Sequence, residues 1–119
     1  MNEKEFQKQV VEFARLCGWE TFHVSDSRKV AGGKLIGDRS IAGFPDLTLV
    51  HEGRGFVFAE LKAEKGRATA RQVNVLNLMA GAALMCRGKV KVHLWRPSDM
   101  MEVIVPVLRD GKGPVTHGF

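Results

Sequence analysis

The sequence predicts helices packed on a small mixed β-sheet, an α/β fold in which an α+β layering is the neighbouring option. Two apolar stripes at helical spacing, each opened by a capping-box pattern, supply the helices. Short apolar runs rich in aromatic and β-branched residues supply the strands, and two of these runs flank a Gly-rich turn. At 119 residues and 45% hydrophobic content the chain can bury one core and is short for two, so one domain over 1–119 is expected.

Phe6, Val10, Phe13, Ala14 and Cys17 fall on one helical face. Asn2 with Glu5 three residues on gives the start, and Gly18 the stop, so the first helix covers about Glu3 to Cys17. Trp19 to Val24 reads as a strand. The next 18 residues, Ser25 to Ala42, lose apolar periodicity and carry Arg28, Lys29, Lys34 and Arg39; the Gly32-Gly33 pair offers the turn of a small basic hairpin. Two strands follow around a turn at His51 to Gly55, then a polar loop from Ala63 to Arg67. Thr69 and Gln72 open a second helix, whose stripe of Val73, Leu76, Met79, Ala80 and Ala83 runs to about Leu84. Gly88 ends the connection. Lys89 to Trp95 alternates as a strand, with Val90, Val92 and Leu94 on one face and Lys91 and His93 on the other. Met100 to Leu108 is compatible with helix or strand, and the tail from Asp110 reads as frayed.

Eighteen basic against thirteen acidic side chains give a net charge of +5, a field that attracts polyanions, nucleic acid first among them. Cys17 and Cys86 form no Cys-x-x-Cys pair, which argues against a disulfide scaffold or zinc knuckle and for buried thiols. The charged N-terminus and the lack of any long apolar run predict a cytoplasmic chain that does not enter membranes.

Chemistry concentrates in the hairpin. If it is symmetric about Gly53, Val50 faces Phe56, Thr48 faces Phe58, and Asp46 faces Glu60. Lys62, two residues on from Glu60, shares their face, while Leu47, Leu49, Val57, Ala59 and Leu61 turn into a core. Opposed carboxylates repel, which raises one pKa or recruits a cation. An all-oxygen set of Asp46, Glu60 and the Leu61 backbone carbonyl suits Mg²⁺ or Mn²⁺ better than zinc. Beside such a cation Lys62 can hold or deprotonate a nucleophile, or neutralise charge on a pentavalent phosphate. Phosphodiester hydrolysis needs these functions together.

Pro45-Asp46, thirteen residues, then Glu60-Leu61-Lys62 has the form of the PD-(D/E)xK nuclease signature, and the chain resembles a VRR-NUC domain more narrowly. Nearly the whole length takes part: an acidic opening of the first helix, Gly-x-Pro-Asp-Leu, Glu-x-Lys, Gly66, Gln72 at the start of the next helix, and a strand ending in Trp95-Arg96-Pro97. The resemblance implies a restriction-endonuclease-like core and a metal-dependent nuclease acting on branched or flapped DNA. It also implies a role in DNA repair, homodimers like those of Holliday-junction resolvases, and small stand-alone chains of bacteria and phages. By the same pattern an acid of the first helix completes the metal site, with Glu3 the best positional match and Glu5 and Glu12 as rivals, and Gln72 positions water, Lys62 or the phosphate.

Bland alternatives stand beside these roles. Asp46, Glu60 and Lys62 could form an edge salt bridge, Gln72 could serve only as the cap partner of Thr69, and Glu3 could be a helix-dipole carboxylate. His23, His51, His93 and His117 lack ligand spacing and read as satisfied or solvated, and Trp19 and Trp95 as core anchors. Arg28, Lys29, Lys34, Arg39, Lys65, Arg67 and Arg71 flank the site along the chain as phosphate contacts. Within the enzyme class a flap nuclease or a restriction-like nuclease competes with a junction nuclease. From another class comes a nucleic-acid-binding module that keeps the fold without turnover.

Overall fold

Asn2 opens the first helix as its sequence predicts: Asn2 Oδ1 accepts the Glu5 N–H at 2.8 Å, and the Glu5 carboxylate accepts the Asn2 N–H in return. This helix, α1, spans Glu3–Leu16, with Cys17 as C-cap and Gly18 at φ +89° redirecting the chain. The structure is a computed structural model that describes residues 1–23, 41–113 and 119, together with the backbone of 29–31 and 34–36.

Among the described residues six strands follow the predicted order: β1 (Glu20–His23), β2 (Lys29–Ala31), β3 (Lys34–Ile36), β4 (Leu47–His51), β5 (Gly55–Leu61) and β6 (Val90–Trp95). β2 and β3 pair antiparallel with Ala31 opposite Lys34, which forms the basic hairpin as a separate ribbon. The other four make one mixed sheet in the order β1-β4-β5-β6. Only β5 and β6 run parallel, and the return between them requires a crossover. Helix α2, Ala70–Ala83, provides it.

Each sheet face carries its own core. Leu47, Leu49, Val57, Ala59 and Leu61 are fully buried against α1 and a C-terminal helix, as the alternation predicts. Burial of each Leu or Val stabilises by roughly 1.5–3 kcal/mol. On the opposite face Leu76, Ala80 and Ala83 of α2 pack against Val92. Because β6 is covered on both faces, Lys91 and His93 are both buried: Lys91 Nζ donates to the Gly111 carbonyl at 2.7 Å, and His93 stacks on Trp95. Burial lowers the Lys91 pKa. Trp19 and Trp95 are buried anchors, and Trp19 Nε1 donates to the Leu108 carbonyl at 2.8 Å.

Three expectations are corrected and one open reading is settled. The hairpin pairs one step further than predicted, His51 with Gly55, so the turn is Glu52–Gly53–Arg54 closed by Arg54 N–H to His51 O at 3.1 Å. Gly55 sits at φ +83°, and a Cβ there would run into the Lys89 carbonyl oxygen, which is why a glycine rather than a fifth loop residue ends the turn. Met100 to Leu108, compatible in sequence with helix or strand, is helical: a π turn over Met100–Ile104 leads into α3, Val105–Asp110. Pro106 lacks an N–H and would crowd the carbonyl four residues back in a regular helix, and the wider turn, with Val105 N–H reaching Met100 O, relieves that conflict. Cys17 and Cys86 are free and half-buried rather than buried, because one caps α1 and the other lies in the short 3-10 turn Leu84–Cys86 beyond α2. Residues 114–118 of the predicted frayed tail lie outside the described residues, but Phe119 is docked: it packs beside α2 and its N–H donates to Asn77 Oδ1 at 2.8 Å. Among the described residues no helix is long and apolar enough to cross a membrane.

Two glycines separate turn strain from helix propensity. Gly55→Ala is expected to destabilise by at least about 1–3 kcal/mol from its backbone conformation alone. Gly81→Ala, where an added Cβ meets nothing within 4 Å in α2, is expected to stabilise by about 0.5–1 kcal/mol. Urea unfolding of the two variants measures both signs.

Candidate active site

The observed pairing of Leu47 with Ala59 places Asp46, one residue ahead of β4, opposite Glu60. Asp46 reaches that place through a constrained approach. Gly43, at φ +81°, lies so close to α2 that a Cβ would come within 2.7 Å of Arg71 Cγ, and Arg71 Nε donates to the Ala42 carbonyl at 3.2 Å. Pro45 is buried, and Asp46 Oδ2 then accepts the Leu61 N–H at 2.9 Å. The side chain thus replaces the ladder bond that β4 would have made had it begun earlier. In an extended strand the N–H and C=O of one residue leave on the same side, so the Leu61 carbonyl also emerges toward Asp46.

Glu60 is 1% exposed. Its Oε2 takes two donors, Gln72 Nε2 at 3.2 Å and Lys62 Nζ at 3.4 Å. Gln72 also completes the capping box of α2: Thr69 N–H donates to Gln72 Oε1 at 2.8 Å, and Gln72 N–H to Thr69 Oγ1 at 3.1 Å. Since a backbone N–H can only donate, Oε1 must face Thr69, which directs the amide nitrogen at Glu60. The cap role and the site role of Gln72 are therefore one geometry. Lys62 closes the β5–β6 ladder through its N–H to Trp95 O at 3.0 Å, and its side chain is 13% exposed.

The other oxygen of Glu60, Oε1, is buried and meets no donor among the described residues. Burial raises the Glu60 pKa most, the negative charge of Asp46 adds to it, and the protonated acid can donate to Asp46. Lys62 opposes the shift, and the result is a pKa of about 8. Two opposed carboxyl groups, one of them the proton-retaining Glu60 with an oxygen lacking a donor among the described residues, and a backbone carbonyl alongside fit a hard divalent cation.

The remaining expected residues distribute unevenly. Glu3, Glu5 and Glu12 are exposed on α1, and Glu5 is committed to the Asn2 cap. Among the described residues no third His, Cys, Asp or Glu joins Asp46 and Glu60 in a metal-binding group, so the first-helix acid is not gathered into the site. The reason is placement: α1 packs on the opposite face of the sheet, with the core of Leu47 and Leu61 between. Lys65 and Arg67 are exposed on the loop after Lys62, a loop held by Arg96 Nη2 to Gly66 O at 2.8 Å and by Ser98 N–H to Glu64 at 2.9 Å. Arg71 is exposed at the approach to Asp46. Lys29 and Lys34 lie on the β2–β3 ribbon, whereas Arg28, Arg39 and His117 fall outside the described residues. His23 pairs with Gln7 at 2.7 Å, and His51 Nδ1 accepts the Gly53 N–H at 3.0 Å. Sequence reasoning missed the Arg71 latch and the Asp46 to Leu61 bond; Gly43, three residues before Asp46, was the available signal.

Proton linkage gives a signed prediction. The folded pKa of Glu60, about 8, lies above the ordinary 4.5, so the folded state holds the extra proton between these values and stability from this group is lost as pH rises through 8. Wild type is expected to lose on the order of 3 kcal/mol more than Glu60→Gln between pH 5.5 and 8.5 in urea unfolding, and Mg²⁺ should stabilise wild type more at the higher pH. Parallel pH profiles would refute the shift. No family model, no curated protein and no solved structure matches this chain.

Proposed function

We propose that the chain is a Mg²⁺- or Mn²⁺-dependent nuclease of VRR-NUC type that hydrolyses phosphodiester bonds in DNA, with branched or flapped DNA as its substrate. The observation that carries this reading is the buried Glu60 oxygen without a donor, set beside Asp46 and flanked by Lys62 and Gln72. An edge salt bridge alone would leave no reason to bury that oxygen.

Asp46, Glu60 and the Leu61 carbonyl would hold the cation, and a bound cation would neutralise the scissile phosphate and lower the pKa of water. With only two carboxylates among the described residues, the remaining positions would fall to water and phosphate oxygens, the habit of Mg²⁺. Gln72 holds Glu60 in orientation and is a positioning residue. Lys62 is the partly exposed cation of the group, placed where it can orient a nucleophile or offset charge developing on phosphate. Lys65 and Arg67 follow it on an anchored loop and would grip the flanking phosphates. A second copy of the chain would allow paired cuts across a junction.

Asp46→Ala and Glu60→Ala are expected to abolish Mn²⁺-dependent cleavage of junctions and flaps while circular dichroism stays native, and Lys62→Ala to slow it by about 10²-fold or more. Wild type that binds DNA and Mn²⁺ yet cuts none of these substrates would favour the non-catalytic binding module. Lys65→Ala and Arg67→Ala should each flatten the salt dependence of DNA affinity by about 0.9 in log–log slope. Unchanged slopes would remove the loop from the interface.

A further inference from the structure

The face that carries Asp46, Glu60 and Lys62 is covered by α2 over β6, but its other half exposes aromatic rings. Phe22, Phe44 and Phe56 are 54%, 36% and 43% exposed. They are not scattered. Phe22, Thr48 and Phe58 line up across β1, β4 and β5, and the exposed Glu20 with Val50 and Phe56 forms the next row. Phe56 and Phe58 are parallel, with centroids 6.4 Å apart and planes within 6°, and Phe44 meets Phe58 edge-on at 6.1 Å. Phe44 precedes Asp46 by two residues and Phe58 precedes Glu60 by two, so the aromatic strip begins one strand repeat, about 7 Å, from the acidic pair.

We propose that this strip binds the unpaired bases of a nucleic-acid strand by stacking and feeds the adjoining phosphate to Asp46 and Glu60. The inference rests on the nuclease reading and narrows its substrate class to DNA with a single-stranded segment next to the cut. Three features favour bases over an apolar protein partner. Phe56 and Phe58 follow one another along β5, Phe44 adds its ring beside Phe58, and β5 continues from Phe58 directly to Glu60. The chain carries +5, which favours a polyanion, and an aromatic strip in a basic protein is the general form of a sequence-tolerant single-strand site. Phosphate contacts alone would serve duplex and single strand alike; exposed rings discriminate between them, because bases inside a duplex are already stacked.

The test is fluorescence anisotropy of a labelled fifteen-nucleotide oligo(dT) and of a blunt hairpin duplex with the full chain in EDTA, over a salt series. Phe56→Ala and Phe44→Ala should each weaken oligo(dT) binding at least about tenfold, leave duplex binding unchanged, and shift the log affinity against log salt line downward without altering its slope. Phe56→Trp should restore binding, and Leu78→Ala, an exposed apolar residue on α2, should change nothing. Equal affinity of wild type and both alanine variants would overturn the proposal, as would a wild-type dimer in sedimentation that Phe56→Ala converts to monomer, since the strip would then join two copies. Cleavage separates the readings. Stacking losses in a wild type that never cuts would leave the strip standing and end the nuclease reading, whereas flap cleavage unaffected in KM by Phe56→Ala would do the reverse.

Discussion

The fold is arranged around one unfavourable placement: a carboxylate, Glu60, buried in a sheet opposite a second carboxylate. Neither hydrophobic packing nor hydrogen bonding asks for it. Transfer of such a group from water is costly unless it is protonated, paired or bound to a cation, and here the first two remedies are partial. Lys62 and Gln72 attend to one oxygen and leave the other without a donor among the described residues. Glu60 therefore keeps its proton up to about pH 8.

The surrounding structure holds that placement in several ways. The fully buried row of Leu47, Leu49, Val57, Ala59 and Leu61 fixes the register of β4 on β5, and a slip of one residue would drive this row into solvent. Register in turn sets Asp46 against Glu60. The α2 capping box orients Gln72, and Arg71 and Gly43 bind the approach of Asp46 to the same helix turn. One helix terminus therefore steadies both acids. Arg54 acts at the far end of the hairpin, donating to the Cys17 carbonyl at 3.3 Å and the Leu108 carbonyl at 3.1 Å, so the turn cannot move independently of α1 and α3.

Much of this was legible in the sequence because it depends on local periodicity. Both capping boxes, the strand alternation around Gly53 and the helical stripes are rules of neighbouring residues, and the structure follows them at Asn2, Thr69 and the hairpin. What escaped were contacts between distant segments. The burial of Lys91 and His93 depends on helices covering both faces of β6, and the π turn before Pro106 depends on a helix that the sequence left ambiguous. The first-helix acid was assigned by position in a pattern, whereas α1 lies across the core from Asp46 and Glu60. The aromatic strip was visible as an apolar start to the site face, but exposure, which gives it meaning, is a tertiary property.

The central claim of the proposed function is that a divalent cation bound beside Asp46 displaces the proton of Glu60. Calorimetric titration of Mn²⁺ at pH 7 in buffers of different ionisation enthalpy measures that exchange directly. A pKa of about 8 predicts release of roughly 0.9 proton per cation from wild type and essentially none from Glu60→Gln. Binding without proton release, or identical release from the variant, would contradict it.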